Sequence, residues 1–213
     1  MKAGPRQPPG EIRLIGGRWK RSKLTVPSVP GLRPTPDRVR ETLFNWLGQD
    51  MTGLRCLDLF AGSGALGLEA ASRGAREVVM VEQDPSLADA LRRHVTRLGG
   101  AQVQVHRGDA LQWLDRLGRG WDVVFLDPPF GESAQGWNEG LFREVMARVH
   151  PALRAGAWVY LEAGRPWTQA DLPALPWRLH RHGKAGAVHY HLFALDPAPD
   201  KADALEPEDN RAA

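Results

Sequence analysis

The sequence predicts an α/β fold: a doubly wound, mostly parallel sheet of seven strands ending in an antiparallel C-terminal hairpin, preceded by a small basic β-ribbon. Three observations carry this. Short apolar runs alternate with helical-period segments from residue 54 onward, the pattern of βαβ units. The first run leads into a glycine turn, Gly62-Ser63-Gly64. Acidic residues close the strands, at the carboxyl ends where such sheets hold ligands.

Residues 1–11, rich in Pro, Gly and Lys/Arg, read as a flexible basic arm. Residues 12–34 form the ribbon and a linker: Ile12–Leu14 and Lys23–Val26 are extended around Gly16-Gly17, and Val26–Gly31 is broken by prolines. Residues 35–195 make the main domain. Thr35-Pro36-Asp37 has the form of a helix start, with Thr35 as N-cap, and Val39, Leu43, Trp46 and Leu47 follow at helical spacing to about Leu47. Expected strands are Cys56–Phe60, Glu77–Glu82, Val103–His106, Asp122–Leu126 and Trp158–Glu162. Expected helices are Gly64–Arg73, Ser86–Leu98, Ala110–Leu117 and Leu141–His150. Trp177–His182 and Val188–Leu195 pair as the hairpin, turning around Gly183–Gly186. Residues 196–213 are acidic and aperiodic, a disordered tail.

The formal charge of +3 hides an asymmetry: +8 over residues 1–40, −1 over 41–195 and −4 over 196–213. A basic entry of this kind suits a polyanionic partner, though a solvated charged face is the plain alternative. One cysteine, Cys56, excludes an intramolecular disulfide framework, and no apolar run reaches a membrane span of about 18 residues. A reducing, cytoplasmic location and a monomer are the default expectations.

The candidate site is built at the strand ends. Glycines after Asp58 let a ligand approach backbone N–H groups, and Glu82 is placed to accept hydrogen bonds from a ribose diol. Asp109 could meet a ribose or base edge. The same glycines and Glu82 also match a dinucleotide fingerprint. Asp58 weighs against a pyrophosphate and suits the cationic end of S-adenosylmethionine, unless it only braces the turn. Asp127-Pro128-Pro129-Phe130 ends the fourth strand. Its prolines remove N–H donors and leave carbonyls free beside the Asp127 carboxylate, a setting that can hold an exocyclic amine while Phe130 stacks on an extruded base. A plain Pro-Pro turn is the alternative.

Together, Asp58 to Gly67, Glu82, Asp109 and Asp127 to Phe130 resemble the class I S-adenosylmethionine-dependent methyltransferases that act on exocyclic amines. Arg13 to Lys20 and Leu32 to Leu47 narrow the resemblance to the bacterial 16S rRNA guanine-N2 methyltransferase family (RsmD type). The match spans about residues 12–195. It implies a Rossmann-like fold and S-adenosyl-L-methionine held by Thr35, Asp58, Phe60, Ala61, Gly62, Gly64, Glu82, Gln83, Asp109 and Ala110. Asp127, Pro128, Pro129 and Phe130 would be catalytic, and 16S rRNA, within the small subunit or an assembly intermediate, would be the partner. Asp at the first position of that tetrad, where adenine-N6 enzymes commonly carry Asn, fits a guanine amine. Arg13, Arg18, Trp19, Lys20, Arg21, Lys23, Arg33 and Arg38 would meet RNA, with packing in the core as the alternative for Trp19. An adenine-N6 or other amine methyltransferase, and a non-catalytic RNA-binding assembly factor, stay open. His180, His182, His189 and His191 could meet across the hairpin, but no Cys or carboxylate completes a zinc set, so no metal is expected.

Overall fold

The computed structural model describes residues 10–32, 34–116, 118–128, 139–172 and 177–195. The acidic tail, nearly all of the N-terminal arm, and Arg33, Pro129 and Phe130 lie outside these residues. The ribbon pairs β1 (Gly10–Arg13) with β2 (Lys23–Val26), antiparallel. Its alternate residues Ile12, Leu24 and Val26 point inward, and Leu14 and Trp19 join them in the main core. Burial of this kind ties the ribbon to the body of the molecule.

Helix α1 (Asp37–Trp46) follows, one residue later than expected, with Pro36 as its N-cap. Thr35 makes no capping bond. Seven strands then form one sheet: β3 (Arg55–Asp58), β4 (Glu77–Glu82), β5 (Val103–Arg107), β6 (Trp121–Leu126), β7 (Leu153–Ala163), β8 (Trp177–Ala185) and β9 (Val188–Leu195). The helices between them are α2 (Ala65–Ser72), α3 (Pro85–Leu98), α4 (Ala110–Leu114) and α5 (Glu139–Val149). Strand order is β5-β4-β3-β6-β7-β9-β8, parallel except for the last two pairings. The chain winds outward from β3 to β5, then returns to place β6 on the other side of β3. That reversal opens a crevice at the carboxyl ends of β3 and β6, where ligands of such sheets bind.

Apolar side chains fill both faces. The ribbon, α1, α2 and α3 cover one, against Phe125, Tyr160 and Leu192. Helices α4 and α5 cover the other with Trp167 and Trp177. Local chemistry fixes the ends of α3: Asp84 accepts the Ser86 and Leu87 N–H groups, Pro85 opens the helix, and Gly99 closes it in the left-handed conformation.

Several bounds differ from expectation: β3 ends at Asp58 and α4 at Leu114, short of Phe60 and Leu117, α5 starts at Glu139, and β8 runs on to Ala185. Strand β7 begins at Leu153, because a register shift lets Trp121 pair with Leu153 before the regular ladder starts at Trp158. The hairpin turns at Gly186-Ala187, so Ala185 pairs with Val188. Gly183 stays inside β8, where the Tyr190 ring covers it so closely that a Cβ would meet the ring at 2.3 Å.

Candidate active site

Three short acidic side chains project from one face of the sheet at its carboxyl end. Asp58 ends β3, Asp127 follows β6, and Glu162 sits one register step beyond the Leu126–Leu161 pair. Parallel pairing puts Asp127 and Glu162 side by side. Thr35, 5% exposed, lies over them and donates its hydroxyl to Asp127 Oδ2 at 3.3 Å. Its hydroxyl serves the crevice instead of capping α1. Tyr160 donates to Glu162 Oε1 at 2.8 Å.

Burial sets the protonation of the group. Asp58 is pushed up to about 7, chiefly by burial and further by the Glu82 charge, although a bond from the Gly67 N–H works against this. Burial, then the charges of Glu162 and Asp58, raise Asp127 well above the usual carboxylate range. Burial raises Glu162 too, opposed by the Tyr160 and Thr35 hydroxyls. Three carboxyls this close in a dry setting cannot all ionise cheaply, so the site favours an arriving cation.

The crevice is about 690 Å³ and continues from these acids past the glycine turn to the ends of β4 and β5. Of the expected cofactor residues, Thr35, Asp58, Phe60, Ala61, Gly62, Glu82, Gln83, Asp109 and Ala110 line it, with Asp127 and Pro128 at one end. Gly64 does not. It is the N-cap of α2 at φ +78°, and a Cβ there would meet Leu91 at 2.4 Å, so this glycine answers to turn geometry and packing. Among the described residues no Lys or Arg lines the crevice, whereas Asp58, Glu82, Asp84, Asp109 and Asp127 do. The Gly62 N–H is already taken by Glu82 Oε2 at 2.7 Å and the Gly67 N–H by Asp58 Oδ2 at 3.0 Å. A pyrophosphate would find negative charge where it needs donors, which disfavours the dinucleotide alternative.

Asp58 thus braces the turn with one oxygen only. Its Oδ1 is buried and has no hydrogen-bond partner. An unpartnered carboxylate oxygen on a residue that lines the crevice fits the cationic amino group of S-adenosylmethionine. Each Glu82 oxygen accepts one backbone N–H, from Gly62 and from Asp84, which fixes the carboxylate and leaves lone pairs for a diol. Asp109 similarly caps α4 through Gln112.

Two parts of the site went unread in the sequence. Glu162 is one: it carries the same signal as Asp58 and Asp127, an acid closing an apolar strand run. The linker is the other: Val29, Pro30, Gly31 and Leu32 form a wall of the crevice, and Leu32 packs against Gly62. Around the ribbon, Arg13, Arg18, Lys20, Arg21, Lys23 and Arg38 are exposed. Trp19 is not. It is 8% exposed, its ring packs on Gly100 and its N–H bonds Ser72 Oγ at 2.9 Å, so the stacking role expected for it gives way to the packing alternative. The histidines divide. His182 and His189 meet at 2.9 Å and His182 stacks on His191, while His180 packs on Trp158. Buried His191 is lowered to about 4, mainly by burial, and accepts the Trp167 N–H, leaving it a structural neutral imidazole. Burial pushes the Cys56 thiol far up, as expected of an unreactive core residue.

Sheet order, crevice and acid-lined turn define a class I S-adenosylmethionine-dependent methyltransferase. A family model described as Conserved hypothetical protein 95 matches residues 12–194. Ribosomal RNA small subunit methyltransferase D of Escherichia coli is 41% identical over 199 residues, covering 92% of this chain and 95% of that protein. Its Haemophilus influenzae counterpart is 38% identical over 191 residues, covering 86% and 94%. The solved structure of the Escherichia coli protein yhhF superposes with a TM-score of 0.75 at 38% identity, over 88% of this chain and 99% of that one. An RNA methyltransferase from Salinibacter ruber, solved with S-adenosyl-L-homocysteine, shares the fold at 19% identity and a TM-score of 0.55, over 84% and 100%. The chain belongs to the small-subunit ribosomal RNA methyltransferase D family.

Proposed function

We propose that the protein methylates the exocyclic N2 amine of a guanine in 16S ribosomal RNA. The single observation that carries this is Asp127 beside Pro128, half-buried at the end of β6 under the Thr35 hydroxyl. An exocyclic amine has its lone pair drawn into the ring, so two acceptors must hold its N–H bonds before the nitrogen can attack. The Asp127 carboxylate and a carbonyl of the Pro128 turn are those acceptors. Pro129 and Phe130 complete the tetrad, with Phe130 as the stacking ring for an extruded base.

S-adenosylmethionine supplies an electrophilic methyl group on sulfur. The chain's part is to place the amine in line with it. Asp58 balances the positive charge of its amino end, Glu82 holds the ribose hydroxyls, and Asp109 with Ala110 and Gln83 borders the base. Good alignment of two reactants recovers roughly 7–11 kcal/mol of barrier, which leaves little for covalent or acid catalysis to add. As the N–C bond forms, the methyl–sulfur bond would break to leave a neutral thioether, and one amine proton departs. Asp127, held well above its ordinary range by burial and by Glu162, is able to take it. Exposed Arg13, Arg18, Lys20, Arg21, Lys23 and Arg38 contact phosphates, and Arg33 joins them by its place in the sequence.

The test is transfer of label from S-adenosylmethionine to small subunits that lack the modification, followed by nucleoside mapping. Label in N2-methylguanine is the expected result. Label in N6-methyladenine, or binding without transfer, would replace this reading with an adenine enzyme or an assembly factor.

A further inference from the structure

Beyond the crevice, a second cavity of about 560 Å³ lies between β2 and α3, lined by Lys23, Thr25, Pro27, Ala90, Arg93, His94 and Arg97. We propose that this groove is a phosphate-binding track for RNA, extending the substrate path from the crevice along α3; the proposal rests on the reading that the substrate is RNA.

Geometry carries it. Arg93 and Arg97 are four residues apart on α3 and so share one helical face. Both are exposed, and among the described residues neither has an acidic partner in an ion pair. Arg97 donates to the Lys23 carbonyl and His94 bonds the Thr25 carbonyl at 2.9 Å, which pins the helix to the ribbon and holds the cationic groups in place. Asp89 pairs with Arg92 at 2.8 Å, outside the groove, while Glu11 pairs with the groove's Lys23 at 3.1 Å, so Arg93 and Arg97 carry the groove's positive charge. His94 is held below its ordinary range by burial first and by Arg97 and Arg93 after it, although its bond to Thr25 opposes them; the local field is positive.

The groove is also in the right place. Leu87 on α3 lines the crevice and Arg93 and Arg97 line the groove, six and ten residues on. At about 1.5 Å per residue that is roughly 9–15 Å along the helix. A strand rising about 3.4 Å per nucleotide covers it in about three or four steps. The linker that walls the crevice at Val29 to Leu32 reaches the groove at Pro27, so one segment runs past both cavities. Their electrostatics are opposite. The crevice is acidic and suits a cation and a neutral base; the groove is basic and suits the backbone that carries that base.

The experiment measures binding of a small-subunit rRNA transcript and of unmodified small subunits at about 50–200 mM salt, the range over which phosphate contacts register. Arg93→Ala should reduce the salt slope by about 0.7, and Arg93→Ala with Arg97→Ala by about 1.4, the increments for one and two lost single-strand contacts. Affinity should fall about tenfold per contact at about 50 mM, with S-adenosylmethionine affinity and Tm unchanged for Arg93→Ala. Lys at both positions should restore the slope. Arg92→Ala, whose side chain is paired with Asp89, should leave it as in the wild type. An unchanged slope for Arg93→Ala, or an equal loss for Arg92→Ala, overturns the groove. Failure of the wild type to methylate RNA overturns the functional reading instead, and the slope still decides the groove.

Discussion

At the residue scale, Asp58 divides its two oxygens between the fold and the ligand. Oδ2 holds the glycine turn through Gly67, and Oδ1, buried without a partner, is the oxygen we propose for the ligand's cation. Because burial lifts Asp58 to about 7, a cationic ligand binds its ionised form and must displace a proton below that pH. Affinity for S-adenosylmethionine should therefore be greatest above pH 7 and fall by up to about tenfold per unit below it; calorimetric titration from pH 5.5 to 8.5 checks this. Asp58→Asn should bind more weakly and lose most of that slope. Glu162→Gln gives a separate readout. With the neighbouring charge gone, Asp127 should ionise at lower pH, moving the acid limb of the kcat profile downward, whereas a merely structural loss would lower kcat at every pH. Asp127→Ala should cut kcat by at least about 10²-fold, the scale of a lost positioning contact, with cofactor binding still measurable. Asp58, Glu82 and Asp127 were legible because each is an acid closing an apolar run, at the end of the sheet where ligands gather, and Asp109 because it follows the third strand. Glu162 met the same rule. What hid it was its partner: its place beside Asp127 comes from the pairing of β6 with β7, which joins residues 35 apart in sequence.

Among the elements, α1 and α2 are joined by charge at the centre of the protein. Arg40 and Glu69 are both fully buried. Glu69 accepts from Arg40, from Arg73 and from the Ile15 N–H, while Arg40 also reaches the Thr35 and Arg13 carbonyls. One ion pair thereby fixes the ribbon, the Thr35 corner and two helices. Without Glu69, Arg40 keeps only the exposed Asp37 as a carboxylate partner and Arg73 loses its own, so Glu69→Ala should cost up to about 3–5 kcal/mol in urea unfolding. Nothing in the composition distinguishes Arg40 from the exposed basic residues around it. A formal count treats it as surface charge, yet it contributes nothing to the outside. Thr35 illustrates the same limit: Thr-Pro-Asp is sound cap chemistry, but a neighbour 92 residues away, Asp127, competes for the hydroxyl and takes it. Strand and helix identities were readable from period and punctuation. Their polar cross-links were not, since they join residues far apart in sequence.

For the molecule as a whole, the basic entry and the catalytic crevice are one packed body. Leu14 and Leu24 of the ribbon are fully buried, and Arg18 reaches Gly99 and Gln102 beyond α3. Deleting residues 1–24 should therefore lower Tm sharply, and no clean loss of RNA affinity can be read from it. Lys20→Ala with Arg38→Ala, both exposed, should instead keep Tm and weaken RNA binding, as paired melting and binding curves would show. The sheet order has a further consequence for synthesis. Among the described residues the last strand made, β9, is not at the edge of the sheet but between β7 and β8. A chain still emerging from the ribosome can complete β3 to β7 and still present the bare, apolar edge of β7, with Val159, Tyr160 and Leu161 unpaired on that side. Bare edges of this kind recruit other strands. A nascent chain stopped after Ala187 should aggregate, whereas eight more residues, Val188–Leu195, close the enzyme.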